Sequence, residues 1–145
     1  MNRINLITLG VKDMKHSLQF YRKLGFRAFV YGTEENPEVV FFDNEGSRLS
    51  LYPLENLSDD INKAYPPQKK EGFSGITLAF NGKSENEVNA VMELAESAGA
   101  KIEKRPQRLF WGGYGGYFTD PDGYCWEVAY GDMWKFDDNN MLVVD

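Results

Sequence analysis

The chain holds one histidine, His16, and one cysteine, Cys125. Chemistry that needs two imidazoles, such as a two-His-one-carboxylate iron site, is therefore out of reach, as is an internal disulfide. His16 stands between Lys15 and Ser17 on the polar side of a helical pattern, where a solvated imidazole is expected. Cys125 has no histidine to activate it and a nearby acid to oppose its ionisation, so it reads as a small lining residue. Glu127 is more informative. It lies in a strand-like run between Trp126 and Val128, where an unpaired carboxylate is costly, so it must be paired, hydrated or functional. Arg48, Ser50 and Tyr52 alternate away from Leu49 and Leu51, which makes Arg48 a candidate partner for that acid. A satisfied structural acid, a ligand-binding acid and a general base all remain open for Glu127.

Residues 110 to 136 carry ten of the twenty-one aromatics. Core filling explains most of them, but not Phe110-Trp111-Gly112-Gly113-Tyr114-Gly115-Gly116, where four glycines free the backbone beside three aromatic rings. A mobile aromatic loop that stacks on a flat ligand, with Trp111 and Tyr114 at its mouth, is one reading; a bulged strand at a dimer contact is the other. These glycines open no helix, so they are not a phosphate cradle. Asp120-Pro121-Asp122-Gly123 pairs two acids, but a four-residue turn offers too few oxygens for calcium and reads as a hairpin.

The elements that position these residues follow from periodicity. Ile7, Leu9 and Val11 alternate with Leu6, Thr8 and Gly10 in a strand running from Ile4. Asp13 is an N-cap for a three-turn helix whose stripe is Met14, Leu18, Tyr21 and Leu24, ended by Gly25. Strands are expected at Phe26 to Tyr31, Glu38 to Asp43 and Arg48 to Tyr52, the last two joined through Asn44-Glu45-Gly46. Residues 53 to 72 read as an exposed crossover with a single helical turn. The order then restarts: a strand with Ile76, Leu78 and Phe80 on one side, and a Ser84-Glu87 capping box. A helix with a Val88, Val91, Met92, Ala95, Ala98 stripe ends at Gly99, and strands follow at Lys101 to Lys104, Tyr114 to Thr119 and Tyr124 to Tyr130. Residues 1 to 52 and 73 to 130 thus form an internal β-α-β-β-β repeat, and setting Asp13 opposite Ser84 places Leu6 opposite Thr77.

The chain has 145 residues and a net charge of −6, with no basic run that could shed phosphate counterions, so nucleic acid is not an expected partner. The charge is uneven: residues 1 to 72 hold ten acids and ten bases, residues 73 to 145 twelve and six. No run approaches the roughly 18 to 20 apolar residues of a membrane span, and Met1-Asn2-Arg3 leads directly into a strand pattern rather than a signal peptide. A cytoplasmic protein without membrane contact is expected.

Two stretches, Val11-Lys12-Asp13-Met14-Lys15-His16-Ser17-Leu18-Gln19-Phe20-Tyr21-Arg22-Lys23-Leu24-Gly25-Phe26 and Gly116-Tyr117-Phe118-Thr119-Asp120-Pro121-Asp122-Gly123-Tyr124-Cys125-Trp126-Glu127-Val128-Ala129, together with the repeat, resemble the vicinal-oxygen-chelate superfamily of glyoxalases, bleomycin resistance proteins and extradiol dioxygenases. The resemblance implies an α+β fold of two tandem βαβββ modules whose curved antiparallel sheets surround a cavity. It covers a single domain over 1–134, with module one at 1–52, a crossover at 53–72, module two at 73–130 and a C-terminal tail at 135–145. Metal-dependent members place up to four ligands on the first and fourth strands of the two modules, and these positions fall here on Leu6, Ser50, Thr77 and Glu127. Only Glu127 is a strong ligand, and Leu6 has no donor atom at all. No metal, no other cofactor and no catalytic residue are therefore expected.

The resemblance then implies a metal-independent small-molecule-binding protein of the glyoxalase/bleomycin resistance type. Its ligand, aromatic or cationic, would lie on the faces bearing Leu6, Thr8, Arg48, Ser50, Tyr52, Thr77 and Glu127, beneath Trp111 and Tyr114. The alternatives are a metal-dependent lyase, isomerase or dioxygenase, and an interaction module with a filled pocket. A homodimer is expected, with the apolar run Met141-Leu142-Val143-Val144 covering a partner's sheet edge.

Overall fold

In the computed structural model, which describes residues 1–144, the chain divides into two compact units, Met1–Glu71 and Gly72–Asp145. The first runs β1 (Leu6–Val11), α1 (Met14–Lys23), β2 (Ala28–Gly32), β3 (Pro37–Phe42), β4 (Arg48–Pro53) and α2 (Leu54–Ile61). The second runs β5 (Thr77–Asn81), α3 (Glu85–Ala98), β6 (Lys101–Arg108), β7 (Tyr114–Thr119) and β8 (Cys125–Tyr130). Each unit folds its strands into a four-stranded sheet, ordered β1-β4-β3-β2 and β5-β8-β7-β6. The α+β class and the duplicated β-α-β-β-β order are as expected.

The meanders β2-β3-β4 and β6-β7-β8 are antiparallel, while β1 and β5 join them in parallel to β4 and β8. Direction explains this. A helix and two strands separate the first strand from the fourth, and three reversals followed by a fourth return the chain to its starting direction.

Both helix starts form as the capping residues require. Asp13 accepts the His16 backbone N–H at 2.8 Å. Ser84 accepts that of Glu87 at 3.1 Å, and Glu87 reaches back to the N–H of Lys83, one residue before the cap, at 2.6 Å. α1 buries Leu18 and Tyr21, and also Phe20 and Ser17 beside its expected stripe. Tyr21, Phe26 and Phe42 meet with ring centroids 5.3 to 5.5 Å apart, which places α1 on the sheet face of Val40, Phe42, Leu49 and Leu51. In the second unit α3 buries Val88, Met92, Ala95 and Ala98, and Phe118 stacks on Trp126 at 6.0 Å. Ile76 departs from expectation. It precedes β5 and is 65% exposed, so the helix-side face begins at Leu78.

Three further segments differ. The crossover holds a two-turn helix, α2, rather than one turn; Leu54 and Leu57 lie over Gly10, where an added Cβ would stand 2.8 Å from Leu54 Cδ1 and 3.1 Å from Leu57 Cδ2. Gly10 shares its face with Leu6 and Thr8, so α2 covers one end of the sheet surface that α1 leaves bare. Strand β6 continues through Pro106 to Arg108. It is an edge strand with register shifts at Ile102/Lys104 and Lys104/Gln107, and an edge tolerates a residue that cannot donate to the ladder. The tail closes on itself: Val143 N–H donates to the Lys135 carbonyl and Asp137 accepts from the N–H groups of Asn139 and Met141, each at 2.9 Å. Phe136 and Leu142 form an isolated bridge there. No helix among the described residues is long and apolar enough to cross a membrane.

Candidate functional site

The Asp120–Gly123 turn sets the register of the second sheet. The Asp120 carboxylate accepts the backbone N–H groups of Asp122 at 3.0 Å and Tyr124 at 2.9 Å, which leaves β7 and β8 paired as Thr119↔Cys125, Tyr117↔Glu127 and Gly115↔Ala129. That commitment to backbone donors also accounts for the acid a calcium site would need. On β5, Thr77 lies opposite Cys125 and Ala79 opposite Glu127. Thr77, Ala79, Tyr117, Thr119, Cys125 and Glu127 therefore share the face turned away from α3.

The centre of that face is a phenol and a carboxylate. Tyr117 Oη donates to Glu127 Oε1 at 2.8 Å. This hydrogen bond, followed by burial and the negative charge of Glu127, pushes the Tyr117 phenol up to about 12. Glu127 is half-buried, and its other oxygen takes no hydrogen bond from the described residues. Because no buried side-chain oxygen or nitrogen among the described residues lacks a partner, that oxygen reaches solvent. Cys125 is half-buried beside the pair; burial, then the charges of Glu103 and Glu127, raise its thiol, which makes it a poor nucleophile.

Sequence reasoning missed Tyr117, although the signal was present. A hairpin turn at 120–123 places opposite one another residues whose numbers have a constant sum, and that arithmetic pairs 119 with 125 and 117 with 127. The partner proposed for Glu127 was Arg48, and this is corrected: Arg48 pairs with Asp43 at 3.0 Å and donates to the Asn44 carbonyl, both at its own hairpin.

The other expected site residues divide by unit. In the first, Leu6, Thr8, Arg48, Ser50 and Tyr52 do lie on the face opposite α1, but most are already engaged. Ser50 is 1% exposed and donates to Thr8 Oγ1 at 2.8 Å. The Asp60 carboxylate of α2 holds the Tyr52 phenol above its ordinary value. In the second, Thr77 joins Glu127 on one face. Tyr114 does not: its hydroxyl donates to Asn89 Oδ1 of α3 at 2.9 Å, on the opposite face.

Trp111 is likewise not a free loop aromatic. It stacks on Trp134 with centroids 5.4 Å apart, and an added Cβ on Gly113 would fall 1.9 Å from its ring. The glycines at 113 and 131 make room for this tryptophan, and Phe110, at 103% exposure, is the ring the hairpin tip presents to solvent. His16 is exposed on α1 as expected.

A metal does not fit the donor set. Leu6 supplies no donor, the Ser50 hydroxyl is buried and committed to Thr8, Thr77 offers only a neutral hydroxyl, and Glu127 shares one oxygen with Tyr117. Among the described residues no group of three or more His, Cys, Asp or Glu side chains is placed to hold an ion.

Comparison with known proteins places this arrangement in context. The chain is 27% identical over 134 residues to a protein named metallothiol transferase FosB from Shouchella clausii, covering 92% of this chain and 83% of that one. A glyoxalase-related enzyme from Fulvimarina pelagi superposes with a TM-score of 0.86 at 28% identity, covering 99% of both chains. A lactoylglutathione lyase from Agrobacterium tumefaciens shares the fold, with a TM-score of 0.68 at 23% identity over 94% of this chain and 99% of that one. The model of the Glyoxalase/Bleomycin resistance protein/Dioxygenase superfamily matches residues 3–128, and the chain belongs to that superfamily.

Proposed function

We propose that this chain is a small-molecule-binding member of its superfamily whose site works without a metal, with Glu127 as the principal polar contact. One observation carries the reading. A carboxylate oxygen is left open to solvent at the centre of a sheet face, while the positions that would complete a metal site hold an aliphatic side chain and two neutral hydroxyls. A solvent-reaching acceptor on a rigid strand is suited to orient a ligand, and the ordered ladder on both sides keeps it from moving away. The activities named in two relatives, a metallothiol transferase and a lactoylglutathione lyase, favour a second reading as a metal-dependent enzyme. That reading needs, besides Glu127, donors from groups outside the four positions above.

A thermal-shift panel of small molecules, run with chelator and then with zinc, nickel, manganese or iron, separates the two. The binding reading expects ligand-dependent shifts that chelator leaves unchanged, and well under one equivalent of metal per purified chain. Stoichiometric metal that disappears in Glu127→Ala would overturn it, as would a panel silent under every condition.

A further inference from the structure

Resting on that binding reading, we propose that the Tyr117–Glu127 pair recognises a protonated amine. The phenol has one O–H, and it is spent on Glu127 Oε1 at 2.8 Å. What the pair shows to a ligand is then acceptors only: the second carboxylate oxygen and the remaining lone pair of the phenol. Such a site satisfies a donor-rich head group and leaves the oxygen of a carboxylate or carbonyl ligand facing another oxygen.

The surroundings point the same way. On the β5 side Glu127 faces Ala79, an exposed methyl that neither fills the space nor competes for the acid. On the β8 side Ala129 is fully buried, so access lies toward Ala79 and the adjacent row, where Thr77, Cys125 and Thr119 stand in register. The threonine hydroxyls there can accept a further N–H. The nearest basic residue by register is Lys104, opposite Tyr117 on β6, and it forms no ion pair with Glu127 among the described residues. Glu103, by contrast, is already paired with Lys101 at 2.7 Å. The acid at the centre of the face is thus un-neutralised by its neighbours, in a half of the chain with twelve acids to six bases. That balance draws cations toward the site.

A charged donor is favoured over a neutral one because the ammonium adds direct Coulomb attraction to the carboxylate on top of the hydrogen bond that either donor can make. A quaternary ammonium has the charge without the N–H and should bind less well than a primary amine.

Three probes of matched shape, benzylamine, benzyl alcohol and benzoate, test this by calorimetric titration of the full chain at pH 7.5, with benzyltrimethylammonium as a fourth. Benzylamine should bind about ten-fold more tightly than benzyl alcohol, and benzoate not measurably. The preference should fall by about ten-fold in Glu127→Gln and only by a few-fold in Tyr117→Phe, which keeps the carboxylate. Unaltered far-ultraviolet circular dichroism checks that both variants fold, and the order of the probes on the unmodified chain stands even if one does not. Benzyl alcohol or benzoate binding as well as benzylamine would overturn the inference and leave the binding reading intact, as would benzylamine silent while other members of the wider panel bind. A panel silent throughout would remove the binding reading itself.

Discussion

The Tyr117–Glu127 hydrogen bond has a consequence that can be measured without any ligand. The Tyr117 phenol is raised from 10.0 to about 12, chiefly by donating to the carboxylate. Two pH units correspond to about 2.7 kcal/mol of preference for the protonated form. Because the pair is open to solvent on one side, screening brings the effect on stability to about 1 to 1.5 kcal/mol. The sign follows from the direction of the shift. The folded-state value lies above the unfolded one, so the contribution is complete below pH 10 and is lost as pH rises from 10 to about 12. In Glu127→Gln the amide oxygen still accepts but carries no charge, and Tyr117 should ionise about one unit or more earlier. Absorbance at the phenolate band near pH 11 should therefore differ between the two proteins by about half of one of the eight tyrosines. Urea denaturation should show a gap between the unmodified chain and Tyr117→Phe that is at full width at pH 8 and about half as wide at pH 11. Identical tyrosine titrations in the unmodified chain and Glu127→Gln would refute the hydrogen bond as the cause.

Other perturbations test the scaffold. Trp111→Ala should lower stability by about 2 to 3 kcal/mol, or roughly 6 to 10 °C in melting temperature, because the ring packs on Trp134 and over Gly113 and Gly131; a change under 2 °C would return it to the status of a free loop residue. Gly10→Ala places a methyl 2.8 Å from Leu54 Cδ1 and should cost about 1 to 3 kcal/mol while speeding amide exchange across Leu54–Ile61; unchanged exchange there would count against the docking of α2. Ser84→Ala removes the oxygen that accepts the Glu87 N–H and should cost about 1 kcal/mol by urea denaturation. Asp60→Asn should let Tyr52 ionise earlier in a spectrophotometric titration, since the Asp60 carboxylate is the largest cause of its raised value.

The parts of the fold legible in the sequence are those governed by local chemistry. Asp13 and Ser84 announce helix starts because a side-chain oxygen placed to accept a free N–H has few other uses. The interval between them also gives the register of the repeat: β1 begins at Leu6 and β5 at Thr77, the two positions the caps set opposite each other. What was not legible depends on contacts distant in sequence. Residues 53 to 72 carry turn-forming composition, and α2 forms within them because Leu54 and Leu57 find Gly10. Lys101 to Arg108 is too charged and too proline-marked to read as one strand; pairing with β7 and a position at the sheet edge sustain it to twice the expected length. Four glycines beside three aromatics suggested mobility, yet Trp111 already occupies the space a side chain on Gly113 would need, and the backbone of Val128 and Lys104 closes on Gly115 and Gly116.

For the site, alternation was sufficient to assign faces and insufficient to assign partners. It put Arg48, Ser50, Tyr52, Thr77 and Glu127 on surfaces turned from α1 and α3, as observed, but it missed that α2 covers the Tyr52 end, and an opposite charge is a poor guide to what an acid meets in a sheet. Arg48 closes its own hairpin through Asp43 instead, and the neighbour of Glu127 is an uncharged tyrosine set by ladder register. The repeat sharpens the contrast. Ser50 pairs with Thr8 in the first sheet as Glu127 pairs with Ala79 in the second. Where the first sheet joins two hydroxyls in a closed hydrogen bond, the second leaves an alanine beside an acid whose spare oxygen faces solvent. The repeat supplies the same backbone address twice, and the side chains at two positions alone make one copy closed and leave the other open to solvent.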